Sequence, residues 1–215
     1  MRITFAFLLV LLLIPIGACS PRAPLGTAAK PDTASSCLPG ERGYLRIGLR
    51  GALDRDLDWR GAQLQCEGGA RPAGHGLRVS FAGTSNAAGQ RLRIVFGISV
   101  APGAPSAGHL PTNVTVIVEG ENRLYATQGE DKCQVESMLQ EALPGSPGSP
   151  GVHDYRVAAR GFCVDPATTL DGSVRLYINR FDFAGIARFE DNDLHAPTLT
   201  PAPAPTPATP SIAAS

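Results

Sequence analysis

Residues 91–100 read RLRIVFGISV, and apolar side chains occupy every second position of this stretch. Successive side chains of a β-strand point to opposite faces, so one face of this segment is wholly apolar when the chain is extended. The members of that face are Leu92, Ile94, Phe96, Ile98 and Val100. The pattern predicts a half-buried strand of an antiparallel sheet rather than a helix, whose period is about 3.6 residues.

The same period of two returns along much of the chain, and turn-forming residues separate the runs. The further alternating runs are residues 45–49, 77–81, 114–118, 155–163 and 174–178. Clusters of Gly, Pro and Asn lie between the runs, at residues 68–69, 71–74, 86–89, 101–111, 120–122 and 171–172. Short strands separated by such turns predict an all-β fold, either an antiparallel β-sandwich or a small β-barrel.

Residues 133–142 fit either a helix or a strand. Several apolar side chains of this segment have helical spacing, namely Val135, Met138, Leu139 and Ala142. A strand would instead form an antiparallel hairpin with the alternating run that follows the next loop. In that hairpin Cys133 lies opposite Cys163 and Leu139 lies opposite Val157, a register in which two cysteines can be bonded. We prefer the hairpin, because it explains both the cysteine spacing and the apolar alignment.

The N-terminus has the layout of an export signal. Arg2 supplies a positive end, and an apolar run extends from Ile3 to Ile16. A run of this length is too short to span a bilayer. The sequence Ile16-Gly17-Ala18-Cys19 then resembles the lipobox of bacterial lipoprotein signal peptides. The resemblance implies cleavage after residue 18 and a lipid on Cys19 that attaches the protein to a membrane.

The residue after the lipobox cysteine bears on location. It is Ser20, whereas Asp at this position favours retention in the inner membrane of enteric bacteria. The resemblance therefore implies a lipid-anchored protein of the bacterial cell envelope, in the outer membrane and facing the periplasm.

The remaining cysteines predict disulfide bonds. With Cys19 assigned to the lipid, an even number is left, and an even number in an exported protein favours two disulfides. They are Cys37, Cys66, Cys133 and Cys163. Three pairings are formally open, and the hairpin favours Cys133–Cys163 together with Cys37–Cys66. Each bond would close a loop of about 30 residues and stabilise the fold by roughly 3.5 kcal/mol in the chain-entropy model.

Composition divides the chain into four segments. Residues 1–18 are the predicted signal peptide, and residues 19–36 are expected to be a lipidated cysteine and flexible tether. Residues 37–195, about 160 in number, suffice for one β domain with its own core, in which the single tryptophan, Trp59, is expected to be an anchor. Residues 196–215 are rich in Pro and Ala, and we expect a disordered tail because they have little to bury.

The charges are balanced, and almost all cations are arginine. The formal net charge is zero, which gives no field that would favour nucleic acid, and only Lys30 and Lys132 are lysine. Arg46, Arg78 and Arg93 lie on the polar faces of separate predicted strands. If those strands are neighbours, the three guanidinium groups would form a basic patch for phosphates, carboxylates or anionic glycans. The alternative is an ordinary charged solvent face.

The sequence offers no catalytic or metal-binding pattern. It contains no G-x-S-x-G turn, no H-x-H or H-E-x-x-H motif and no C-x-x-C pair. A hydrolase site would require His75, His153 and Asp154 to meet in space, which spacing alone does not indicate. Residues 190–193 read as a solvated strand end rather than a Ca²⁺ loop. We therefore expect no enzymatic activity, no metal and no cofactor.

These features favour a lipid-anchored envelope domain with a non-catalytic binding or adaptor role and an open ligand. One alternative is a carrier of a small apolar ligand inside a β-barrel, although the chain lacks the G-x-W of lipocalins. A further alternative is an inhibitor of an envelope enzyme. The expected partners are the membrane, through the N-terminal lipid, and an envelope protein or anionic glycan.

Overall fold

The computed structural model describes residues 37–72, 76–129, 131–144 and 150–195. The predicted signal peptide, tether and tail, together with His75, lie outside these residues. The described part of the chain forms twelve β-strands, one short α-helix, α1 Asp191–Leu194, and two 3₁₀ turns, Pro39–Glu41 and Gly61–Gln63. The strands are β1 Tyr44–Gly51, β2 Arg55–Arg60, β3 Gln65–Ala70, β4 Leu77–Thr84, β5 Arg91–Ile98, β6 Ser106–Ala107, β7 Leu110–Val118, β8 Arg123–Ala126, β9 Cys133–Ala142, β10 Val152–Cys163, β11 Ala167–Thr168 and β12 Arg175–Glu190.

Hydrogen bonding joins all twelve strands into one sheet, which confirms the predicted all-β fold. The order is β11-β8-β7-β5-β4-β3-β12-β10-β9-β6, and the hairpin β1–β2 branches from β12. Two additional pairings, β7 with β9 and β11 with β12, close the sheet on itself. The pairs are antiparallel except for one parallel contact between β3 and β12, where Gly69 lies opposite Arg188.

Strand β12 is paired along both edges. One edge pairs first with β11 and then with β10, whereas the other pairs first with β1 and then with β3. Its inward side chains include Phe181 and Phe183, whose rings lie 4.9 Å and 4.6 Å from that of Phe96 on β5. Phe81 on β4 completes the cluster, 5.0 Å from Phe183. These rings fill the space between β4, β5 and β12.

Trp59 is a core residue, as predicted. Its side chain is only 4 % exposed, and its Nε1 donates a hydrogen bond to the carbonyl of Thr84 at 2.8 Å. The indole ring lies against Gly83, where a Cβ atom would approach it within 2.7 Å. Trp59 thus connects the hairpin β1–β2 to the end of β4.

Both predicted disulfides, Cys37–Cys66 and Cys133–Cys163, are present. The first joins the segment before β1 to β3, and the second joins β9 to β10. The hairpin prediction for residues 133–142 is therefore confirmed over the helix.

The predicted register of that hairpin is correct from Cys133 to Val135 and wrong beyond Val135. Leu139 lies opposite Ala158 rather than Val157, because β9 contains a bulge. Val135 pairs with Gly161 and the next pair starts at Ser137, so that Glu136 has no partner on β10. An extra residue moves every later side chain to the other face. Leu139 is accordingly 39 % exposed, and Met138 is buried in its place.

A second bulge interrupts β12 where it pairs with β1. Ile47 lies opposite Phe181 and Leu49 lies opposite Ile178, so Asn179 and Arg180 together face Gly48. Two consecutive residues of β12 are therefore exposed between buried neighbours. The apolar alternation of Leu176 and Ile178 therefore stops at Ile178 and resumes three residues later, at Phe181.

Some predicted boundaries also differ from the structure. Gly68-Gly69 was expected to be a turn, but both residues lie within β3, where β12 approaches so closely that a Cβ on Gly68 would lie 2.6 Å from a carbonyl oxygen. Val100 lies beyond the end of β5, and Val174 precedes β12 and is 42 % exposed. Residues 190–193 are not simply a solvated strand end, because most of them form α1 behind a capping box.

Gly161 and Gly48 give a matched test of this packing, since neither has a positive φ. A Cβ on Gly161 would lie 2.2 Å from the carbonyl of Gln134 and 2.6 Å from the ring of Phe181, whereas one on Gly48 would meet only Asp56, at 3.3 Å. We expect Gly161→Val to lower the free energy of unfolding by about 3 kcal/mol or more, because overpacking forces backbone shifts. Gly48→Val should change it by less than about 1 kcal/mol. Urea unfolding would measure both, and equal losses would contradict this packing.

Candidate binding groove

The outer face of the sheet carries an open groove of about 500 Å³. It crosses β2, β1, β12, β10 and β9, and both bulges contribute residues to it. Gly48 leaves a gap in the row of outward side chains, which deepens the surface there. The lining residues that carry charge are Arg46, Asp56, Asp58, Glu136, Arg160, Arg180 and Asp182.

A ladder of ion pairs forms one wall of the groove. Arg46 lies opposite Asp58 on β2 and opposite Asp182 on β12. Its guanidinium is 3.6 Å from the carboxylate of Asp58 and 3.5 Å from that of Asp182. The hydroxyl of Tyr44 also donates to Asp182, at 2.8 Å. Burial and this hydrogen bond raise the pKa of Tyr44, so the phenol stays protonated as a fixed donor.

Three other charged side chains of the groove have no partner in the part of the chain that the structure describes. Among the described residues, the side chains of Arg160, Arg180 and Glu136 make neither a hydrogen bond nor an ion pair. All three are exposed. Arg160 lies opposite Asp182, but that carboxylate is already bound by Tyr44 and Arg46. The groove thus holds two guanidinium groups and one carboxylate that are free to bind a ligand.

These three side chains lie close together because of the register. Arg180 lies opposite Phe162, two residues along β10 from Arg160, and such diagonal neighbours are about 7–8 Å apart. The bulge residue Glu136 lies next to Arg160 on the adjacent strand, at a strand spacing of about 4.8 Å. The two cations and the carboxylate therefore occupy three neighbouring strands.

A smaller depression of about 230 Å³ adjoins the groove. Arg160 and Asp182 line both cavities, so the two adjoin at this pair of residues. On this outer face of the sheet the depression is also lined by the apolar side chains of Leu139 and Ala158. A ligand held by Arg160 can therefore place a small apolar group beside it.

The structure does not bring together all three arginines singled out from the sequence. Arg46 lines the groove, whereas Arg78 and Arg93 lie on β4 and β5 and share Glu67, at 3.8 Å and 3.3 Å. Arg93 also binds Glu119, at 2.9 Å. The positive charges on β4 and β5 are thus largely balanced by carboxylates. Anion binding by these three residues stays a prediction.

The carboxylate of Glu119 shows how complete that balance is. Burial disfavours its ionised form, but hydrogen bonds from Arg91 and Arg93 outweigh this effect and lower the pKa of Glu119. Arg91 donates at 3.0 Å. This surface is therefore an internally satisfied network of ion pairs, unlike the groove.

His153 and Asp154 do not form a shared site. The ring of His153 lies 2.7 Å from the carboxylate of Asp191, and Arg188 donates to Asp154 at 2.8 Å. Neighbouring residues of a strand point to opposite faces, so these two side chains diverge. The described residues contain no group of three or more His, Cys, Asp or Glu side chains placed to hold a metal ion.

Sequence reasoning missed Arg160, Arg180 and Glu136 as groove residues. The signal for Arg180 and Glu136 is indirect: two polar residues that interrupt an alternating run indicate a bulge. Arg160 carries no such signal, because its register with β12 is regular. Residues 179–180 interrupt β12 in this way, and residues 136–137 interrupt β9. The sequence does not show that the two interruptions lie side by side.

No family model matches this chain, and no curated protein or solved structure shows significant similarity to it. Among the described residues there is no helix with the length and apolar character needed to cross a membrane.

The ion pairs of Asp58 with Arg60 and Arg46 predict how its carboxyl group titrates. Its pKa lies below the usual 3.8, mainly because Arg60 donates hydrogen bonds to it at 2.8 Å and 3.0 Å, with a smaller contribution from Arg46. Ionised Asp58 therefore stabilises the fold above pH 3.8, and this contribution is lost as the pH falls through the folded-state pKa. Carboxyl ¹³C NMR should give a midpoint below 3.8 that rises in Arg60→Gln. A midpoint that Arg60→Gln leaves unchanged would contradict the assigned cause.

Proposed function

We propose that this protein is a lipid-anchored, non-catalytic binding module of the bacterial cell envelope. Its groove binds an anionic group of an envelope molecule. The observation that carries the proposal is the pair of exposed guanidinium groups, Arg160 and Arg180, which lack any partner among the described residues of the chain. The anion site that we propose thus consists of Arg160 and Arg180 beside Arg46, and it no longer includes Arg78 and Arg93.

The chemistry of arginine supports an anionic ligand. A guanidinium group presents a planar fork of donors that matches a carboxylate or phosphate. In this groove Arg46 is already held by Asp58 and Asp182, so its contribution is to fix the wall. Arg160 and Arg180 keep their donors available. The volume of about 500 Å³ falls within the usual range for small-molecule sites.

The lipobox resemblance supports the anchor and the location. A tether of residues 19–36 would let the β domain stand off the membrane by at most about 60 Å, at roughly 3.3 Å per residue. The β domain then begins at Cys37, which the disulfide to Cys66 fixes against β3. An outer-membrane anchor would thus place the β domain in the periplasm.

The other functions considered receive less support. A carrier of an apolar ligand would need an empty interior, and the rings of Phe81, Phe96 and Phe183 fill the space between β4, β5 and β12. A hydrolase would need a shared proton relay, but His153 and Asp154 are each bound to a different residue. A non-catalytic binding role agrees best with these contacts.

The anchor is tested at Cys19. In a bacterial host we expect metabolic labelling with an alkyne analogue of palmitate to mark the wild-type chain and not Cys19→Ala, because the lipid is attached to that thiol. Ser20→Ala is the matched control and should keep the label. Mass spectrometry of the wild-type N-terminus should show a diacylated Cys19. An unlipidated N-terminus, or label retained in Cys19→Ala, would refute the anchor.

The groove is tested with N-acetylalanine, a small carboxylate with no amine. We expect saturable amide shifts at Gly48 and Arg180 in ¹H–¹⁵N NMR spectra, with weak affinity because exposed charge pairs contribute only about 0.2–1 kcal/mol each. The double variant Arg160→Gln/Arg180→Gln should lose the binding, and Gly48→Val should weaken it by filling the groove.

The charge-matched control is Arg78→Gln/Arg93→Gln, which should bind N-acetylalanine like the wild type. If this variant loses binding and the groove variant keeps it, the anion site lies on β4 and β5. Shifts that never saturate would argue against anion binding by either surface.

A further inference from the structure

We infer that the groove recognises a zwitterion: an amino acid derivative or short peptide that carries a free carboxylate and a free amine. The inference rests on the proposed function, since it names the ligand class of the same groove. Arg160 and Arg180 bind the carboxylate, and Glu136 binds the amine. A small apolar side chain of the ligand enters the adjoining depression.

The unpaired carboxylate of Glu136 within the described part of the chain is the main support for a zwitterionic ligand. Its side chain lines the groove next to the two unpartnered arginines, yet it makes no hydrogen bond or ion pair within the described part of the chain. A site for a simple anion gains nothing from such a carboxylate, which repels the ligand across about one Debye length of 8 Å or less. A ligand ammonium group reverses the sign of this interaction. The groove is thus complementary to a molecule with both charges.

The bulge in β9 explains why Glu136 is available. In a regular antiparallel ladder a residue at this place would lie opposite a β10 residue and pair across the strands. The bulge leaves Glu136 with no partner on β10, between the pairs Val135–Gly161 and Ser137–Arg160. Bulges re-aim side chains in this way and occur preferentially near functional sites.

The spacing of the charges suits a chain of about two residues. Glu136 and Arg160 lie on neighbouring strands about 4.8 Å apart, and Arg180 lies one strand farther along the sheet. The amine and carboxylate sites are therefore separated by roughly 5–10 Å. An extended chain advances about 3.5 Å per residue, so a dipeptide spans about 7 Å.

The adjoining depression sets the size of the ligand's side chain. It holds about 230 Å³, and the outward side chains of Leu139 and Ala158 line it next to Arg160. These two side chains are apolar, so the depression can accept a small apolar side chain such as the methyl group of alanine. Alanylalanine is therefore a suitable probe.

The test compares three probes of one size: alanylalanine, N-acetyl-alanylalanine, which lacks the cation, and alanylalanine amide, which lacks the anion. NMR titrations of the full β domain within the mature chain should show the tightest binding for alanylalanine. In Glu136→Gln the affinity for alanylalanine should fall about fivefold, as expected for one ion pair. The affinity for the N-acetyl probe should stay the same or rise about twofold.

The control variant is Glu141→Gln, which removes the same charge from the same strand. Glu141 pairs with Arg156 at 2.9 Å and does not line the groove. We expect this variant to bind all three probes like the wild type. An equal effect of Glu136→Gln and Glu141→Gln would show a long-range field rather than a contact, and would overturn the inference.

The outcomes separate this inference from the proposed function. If the N-acetyl probe binds the wild type as tightly as alanylalanine, the amine is not recognised and the zwitterion is refuted, while the anion groove stands. If neither carboxylate probe saturates, both proposals fail. Binding of the amide probe alone would refute both as well, because the groove would then be a cation site.

Discussion

The closed sheet depends on β12 being hydrogen-bonded along both of its edges. Over its 16 residues, Arg175–Glu190, it fixes the register of four other strands, and its inward side chains lie at the centre of the aromatic cluster. Burying a phenylalanine side chain contributes about 1.5–3 kcal/mol. The rings of Phe181 and Phe183 therefore anchor the strand from inside while the ladders hold it from both sides. A register shift in β12 would displace β1, β3, β10 and β11 together.

This constraint also explains why the groove lies where it does. A strand paired on both edges absorbs an extra residue only as a bulge, and the bulge at residues 179–180 turns Arg180 toward solvent opposite Gly48. The β9 bulge releases Glu136 two strands away. Gly161 lets the ring of Phe181 lie against the backbone between them. The concavity and its unpartnered charges are thus consequences of how the sheet closes.

The two arginine-rich surfaces differ in what their carboxylates already bind. On β4 and β5, Arg78 and Arg93 meet Glu67, and Glu119 takes two guanidinium groups, so each cation has an intramolecular partner. In the groove Tyr44 and Arg46 bind Asp182, which leaves the facing Arg160 without an anion among the described residues. Exposed ion pairs are individually weak, but they determine which side chains have donors available for a ligand.

The sequence by itself predicted the longer strands and the hairpin of residues 133–163, and it favoured the disulfide pairing that the structure shows, but it did not predict β3, β6, β8 or β11. A period of two and the spacing of cysteines are local properties, and strand alternation follows directly from backbone geometry. The sequence did not predict the two bulges or the partner of any arginine. It also did not predict that Gly68 lies in a strand, where β12 closely approaches β3. These depend on which strands become neighbours, and neighbours such as β12 and β3 lie more than a hundred residues apart. Only the tertiary structure could therefore distinguish the satisfied Arg78 and Arg93 from the free Arg160 and Arg180, because the availability of a charge is decided by the side chains across the sheet.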